Sequence, residues 1–154
     1  MEKAQGASRL ITSQNQGVLC THSVKHPGYP FGSVTPFSIG AKGRPIFLFS
    51  NMAVHTKNLI ADPKASLLVS AESAEGELLA GARANVLGSV EPLPQNEIGT
   101  ARHNYLVAHP QAHQWVTFGD FQFFGMEIAE IYYVGGFGVM GWVSAADYSN
   151  AASR

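Results

Sequence analysis

Tyr29 to Val69 reads YPFGSVTPFSIGAKGRPIFLFSNMAVHTKNLIADPKASLLV, and this stretch decides the fold. Ser33 to Ile39 predicts a strand, Gly40-Ala41-Lys42-Gly43 a hairpin turn with two glycines, and Pro45 to Phe49 the returning strand. Asn51 to Ala61 predicts a helix. It stops at Asp62-Pro63, because the residue before a proline is pushed out of the helical region. Ser66 to Ser70 predicts a further short strand. The helix opens where PIFLFS ends, at Ser50-Asn51, with His55, Thr56 and Lys57 in its first turns. Hydroxyls, unpaired backbone N–H groups and a lysine therefore meet at the positive end of a helix dipole. That is the chemistry of an anion site, and phosphate is its natural occupant.

Working outward, Gly17 to Val24 predicts a first strand, and residues 1–14 read as a short helix or a loose arm. Ala71 to Gly76 reads as a polar turn. Leu78 to Val90 is long and apolar with Arg83 embedded, which predicts a fifth strand broken by Pro92 and Pro94. Gln95 to Ala108 predicts a helix halted by His109-Pro110. Phe123 to Val134 predicts the last long strand, with imperfect alternation, and Val139 to Tyr148 finishes as a strand or a short helix. Hairpin-joined strands with two or three helices predict a mainly β, α+β fold: a closed antiparallel barrel with helices outside. Residues 15–148 form its one domain, between the N-terminal arm and a tail at 149–154.

The chain has 154 residues, of which 45% are hydrophobic and only 14% charged, against roughly 25% charged in typical soluble domains. So little charge on a small domain implies that some surface is covered by another chain, and a homodimer is expected. Net charge is −1 and no basic run occurs, so bulk electrostatics recruit no nucleic acid. The opening MEKAQGASRLITSQNQ has no apolar core to act as a secretory signal. Ile131 to Val143, the longest nearly apolar run, is too short and glycine-rich to span a membrane. Cys20 is alone, so no internal disulfide forms. These features fit a cytoplasmic protein acting on a small molecule.

Arg83 adds to the anion reading. An arginine within an apolar strand is costly to bury without an anionic partner, and guanidinium is a good fork for phosphate. Pairing with Glu75, Glu77 or Glu91 is the alternative. Phe31-Gly32-Ser33-Val34-Thr35-Pro36-Phe37, Phe49-Ser50-Asn51, His55-Thr56-Lys57-Asn58-Leu59, Asp62-Pro63-Lys64-Ala65-Ser66-Leu67 and Ala82-Arg83-Ala84 then follow in order. Together they resemble the FMN-binding split barrel of pyridoxamine 5′-phosphate oxidase-related proteins. Arg102, Tyr105, His109-Pro110, Trp115, Asp120-Phe121 and Val134-Gly135-Gly136-Phe137-Gly138 are similar to its haem-utilisation (HugZ-like) and CREG-like branch.

The resemblance implies a six-stranded antiparallel split barrel, homodimeric, with FMN at the subunit interface. It places Ser33, Val34 and Thr35 beside the flavin ring, Ser50 and Asn51 near the phosphate and ribityl chain, Thr56 and Lys57 on the phosphate, and Arg83 within reach of the cofactor. The implied activity is that of a flavoprotein oxidoreductase, with FMN carrying the redox chemistry; no general acid or base is identified. One alternative is a haem-binding, haem-utilisation protein. Another is a non-catalytic CREG-like dimeric module with a filled pocket. The chain departs from the oxidase at its end, GWVSAADYSNAASR, where the oxidase's C-terminal segment with an arginine and a histidine that grip the substrate phosphate is missing. It departs from the haem-utilisation relatives too, because no histidine follows His113. His22, His55, His103 and His109 stand as candidate axial ligands.

Two other patterns are set aside. Gly136 to Gly141 spells G-x-G-x-x-G, yet a dinucleotide fold needs a further helix, strand and acid beyond it, so a glycine-rich turn is expected. His22 and His26, and likewise His109 and His113, are four apart, but no carboxylate or cysteine stands at matching spacing, so no metal site is expected.

Overall fold

The computed structural model describes residues 2–71, 81–136 and 138–153. The elements run α1 (Glu2–Ser13), β1 (Gln16–His22), β2 (Pro30–Pro36), β3 (Ser38–Ile39), β4 (Pro45–Ser50), α2 (Val54–Ala61), β5 (Lys64–Ser70), β6 (Arg83–Pro92), α3 (Gln95–Ala108), β7 (Phe121–Val134), β8 (Met140–Ser144) and α4 (Ala145–Ala152). Short 3-10 turns lie at Ala41–Gly43 and Pro110–Gln114. The expected turn at Ala71 to Gly76 and the expected start of the fifth strand at Leu78 fall largely outside the described residues.

All eight strands join one antiparallel sheet in the order β2-β1-β5-β6-β7-β4-β3, with β8 also paired to β7. The two outer strands are halves of one bent segment. Residues Pro30–Pro36 pair with β1 and Ser38–Ile39 pair with β4. Only Phe37 stands between them. The sheet therefore curls until both margins lie in the same stretch of chain. Phe37 makes no ladder pair: its N–H donates to the Asn15 carbonyl at 3.0 Å, and its carbonyl accepts the Nε2–H of His109 at 2.8 Å. Both residues are buried, so the break in the ladder leaves no orphaned backbone group.

Register explains the core. The row Leu19, Leu67, Val86, Ile131 and Val143 crosses five strands in pairing register and is buried throughout. The adjacent row, Val34, Val18, Leu68, Asn85, Tyr132 and Trp142, points to the other face. Inside, Phe37, Phe47, Phe49 and Phe124 pack with the buried row, and α1 and α4 add Ala7, Ile11 and Tyr148. A second, smaller core holds Ile46, Leu48 and Phe123 beneath Ala101 and Tyr105 of α3. Alternation on β4 thus feeds two cores, which is why PIFLFS is apolar on both faces.

The sequence-based reading holds in outline, with local differences. Six strands become eight, because the predicted strand Ser33 to Ile39 breaks at Phe37 and Met140–Ser144 adds a strand before α4. The segment from Val139 to Tyr148 is thus both of the forms expected for it. The arm at residues 1–14 is a helix. The imperfect alternation of the last long strand is a β-bulge: Leu87 pairs with Glu130 but Gly88 with Ile128. Glycine is required there, since a Cβ on Gly88 would collide with the Glu127 carbonyl oxygen.

Candidate functional site

The anion site expected at the start of the second helix is built as follows. α2 begins at Val54, three residues later than expected. Its N-cap is Ala53, which offers no side-chain acceptor to the first amides. Ser50 organises the turn before it. Its carbonyl accepts the Ala53 N–H at 3.2 Å and the Thr56 hydroxyl at 2.7 Å, and its Oγ accepts the Met52 N–H at 3.1 Å. Thr56 is buried, so its hydroxyl proton is committed inward. Asn51 is exposed, with its N–H donating to the Asp120 carbonyl at 2.7 Å. Lys57 is exposed on the helix.

Asp120 was named in the sequence only within a motif, and the structure gives it a position in this site. Its Oδ2 accepts from Ser50 Oγ at 3.4 Å. A carboxylate thus stands among the hydroxyls, amides and lysine of the expected anion site. It opposes the single charge of Lys57 and weakens the pull on an anion. Contact across 70 positions left no local signal by which to find it.

The remaining expected residues do not gather around α2 within one chain. Arg83 pairs with Val134, the last residue of β7, whereas Ser50 pairs with Phe121, the first. The 14-residue strand between them is on the order of 40 Å of bent path at about 3.3 Å per residue. Arg83 Nη1 donates to the Gly81 carbonyl at 3.4 Å. On β2 the three neighbours divide between faces. Val34 is 75% exposed on the outer face, while Thr35 is buried on the inner one with Ser33 partly buried beside it.

α2 is fixed to the β1–β2 hairpin through buried Asn58. Its Nδ2 donates to Thr21 Oγ1 at 3.1 Å, and its Oδ1 accepts the Val24 N–H at 3.0 Å. His55 packs its ring on Phe49, with centroids 4.4 Å apart. Among the described residues its enclosed Nε2 has no partner, and burial lowers its pKa below the ordinary histidine value. Of the four histidines considered as haem ligands, His109 is tied to Phe37 and His55 is enclosed, while His22 and His103 are exposed.

A sheet whose margins close in one bent strand, with helices packed around it, defines a split β-barrel. Over residues 1–150 the chain matches the CREG β-barrel family, and it belongs to that family. It is 41% identical over 120 residues to the non-canonical heme oxygenase HOZ, chloroplastic, of Arabidopsis thaliana, covering 78% of this chain and 36% of that one. It is 31% identical to a heme binding protein from Mycobacterium smegmatis, with a TM-score of 0.89 over 96% of this chain and 60% of that one. A FAD-binding protein from Mesorhizobium loti shares the fold at 17% identity, with a TM-score of 0.68 over 83% of this chain and 89% of that one. The chain therefore spans about a third of the plant protein and three-fifths of the mycobacterial one. Among the described residues, no helix is long and apolar enough to cross a membrane.

Proposed function

We propose that this protein binds haem and serves in haem utilisation, as a dimer of two identical chains. The observation that carries the reading is the 31% identity and 0.89 TM-score to a heme binding protein over 96% of the chain, supported by the 41% identity to a heme oxygenase. The dimer rests on the outer row of the sheet, where Val34 is 75% and Trp142 54% exposed beside Val18, Leu68 and Tyr132. These exposed apolar side chains, interrupted in the row by exposed Asn85, favour burial against a second copy on a charge-poor chain. Titration with haemin tests the function. A sharpened, shifted Soret band saturating at one haem per chain is expected, and an unchanged free-haemin spectrum at stoichiometric protein refutes it.

The flavin reading is the second one. The uncapped start of α2 beside Lys57 favours it. FMN would then lie between two copies, because Ser50, Asn51, Thr56 and Lys57 stand at one end of the barrel and Arg83 at the other. When bound, FMN would supply hydride and electron transfer to a small molecule, while the β2 backbone at Ser33, Val34 and Thr35 bordered the ring. Lys57→Ala would then weaken FMN binding far more than riboflavin binding, since only FMN carries the phosphate. Equal losses would end this reading.

A further inference from the structure

The geometry points to a binding site for an aliphatic α-amino acid in the pocket between β4, α3 and the turn after β3. The pocket measures about 240 Å³. That is below the roughly 300–1,000 Å³ of drug-sized sites and too small for a flavin or a porphyrin, so the site stands apart from both readings above. Its floor is apolar. Ile46, Leu93 and Ala101 belong to the second core but are not sealed, keeping 5%, 7% and 7% exposure, and half-buried Ile39 joins them. Such a floor suits an aliphatic side chain, whose burial is favourable.

The rim carries an ion pair. Arg44 Nη1 donates to Glu97 Oε1 at 3.1 Å, and both residues line the pocket. Gly125 makes room for the guanidinium, since a Cβ there would collide with Nη2. Among the described residues Glu97 is the one acceptor this five-donor group meets, and its Nε is buried without a partner. The guanidinium therefore keeps capacity for a carboxylate, and the second oxygen of Glu97 keeps capacity for an ammonium. Together the two side chains are neutral, so a ligand with one charge meets one attraction and one repulsion. A zwitterion is attracted by both. Because the paired protein atoms are adjacent, the ligand's charges must be adjacent too, as they are on the α-carbon of an amino acid. Asn96, Thr100 and Asn104, on one stripe of α3, add two amides and a hydroxyl that make no hydrogen bond among the described residues.

Titration of the full chain with leucine, followed by amide chemical shifts, provides the test. Saturating shifts are expected at Ile39, Ala101 and Asn104, which line the pocket. Isocaproate lacks the ammonium and isoamylamine lacks the carboxylate. Each should bind at least about tenfold more weakly, the loss of one charge-assisted contact. ε-Aminocaproate, an isomer of leucine with its charges at opposite ends, should lose at least about tenfold as well. Glu97→Gln removes both the attraction for an ammonium and the repulsion of a lone carboxylate. It should weaken leucine and strengthen isocaproate, a reversal that general loss of structure does not give. Thr100→Trp, at an exposed position lining the pocket, should abolish the shifts by filling it, with the unfolding midpoint unchanged. The site falls if leucine gives no saturating shift at these amides, or if the two isomers bind equally. It falls equally if Glu97→Gln keeps the wild-type preference or Thr100→Trp binds leucine like the wild type.

Discussion

Replacing His109 by leucine tests how the barrel is closed. The imidazole Nε2–H donates to the Phe37 carbonyl at 2.8 Å, with His109 6% and Phe37 0% exposed. Leucine occupies a similar volume and keeps apolar contact with Tyr105, whose ring lies 4.8 Å from that of His109. It offers no donor, so the carbonyl loses its partner at a place water does not reach. An orphaned buried acceptor costs about 1–3 kcal/mol. In a domain of this size each kcal/mol lowers the unfolding midpoint by about 2–4 °C, so a loss near the middle of that range gives a fall of about 4–8 °C. Thermal unfolding followed by circular dichroism measures it, and amide exchange at Phe37 and Ser38 localises it. His113→Leu, at an exposed position, should stay within about 0.5 kcal/mol of the wild type. If the two variants unfold at the same midpoint, the seam bond contributes nothing and the reasoning is wrong.

The enclosed His55 makes stability depend on pH. Its folded pKa lies below the unfolded value of 6.5 because burial disfavours the charged ring. The unfolded chain therefore takes up the proton first, so stability is fully present above pH 6.5 and declines as the pH drops below it. Urea midpoints at pH 7.5 and pH 5.5 should differ less in His55→Phe than in the wild type; an identical difference would exclude this origin. Gly88→Ala should cost about 1–3 kcal/mol through overpacking of the bulge against the Glu127 carbonyl oxygen, and a denaturant midpoint equal to the wild type's would contradict that geometry. Trp142→Glu should convert a dimer at micromolar concentration into a monomer by light scattering, whereas a wild type that is already monomeric removes the proposed interface.

Much of the architecture could be read locally. The hairpin at Gly40–Gly43 announced itself because a left-handed turn needs glycine or its equivalent, and Lys42 and Gly43 indeed have φ of 59° and 77°. α3 was bounded as found, between Pro94 and His109-Pro110. Asn51 reads as the start of a helix in the linear sequence, yet Ser50 and Asp120 hold that stretch as a turn and α2 starts at Val54. Strand order, the break at Phe37 and the role of His109 depend on contacts far apart in sequence, which composition does not report. The site was legible as residue types but not as an assembly. Lys57 and Arg83 both look like phosphate ligands in a linear reading, while pairing register sets Arg83 and Ser50, the residue four positions before α2, at opposite ends of β7. Asp120 carried no signal of its own, since an exposed aspartate is common anywhere.

Because one segment from Pro30 to Ile39 serves both margins of the sheet, its length is set by the circumference it has to span. Loops elsewhere can lengthen at small entropic cost, whereas one extra residue beside Phe37 would turn every later side chain of the segment to the wrong face. Engineered insertions therefore belong in other loops.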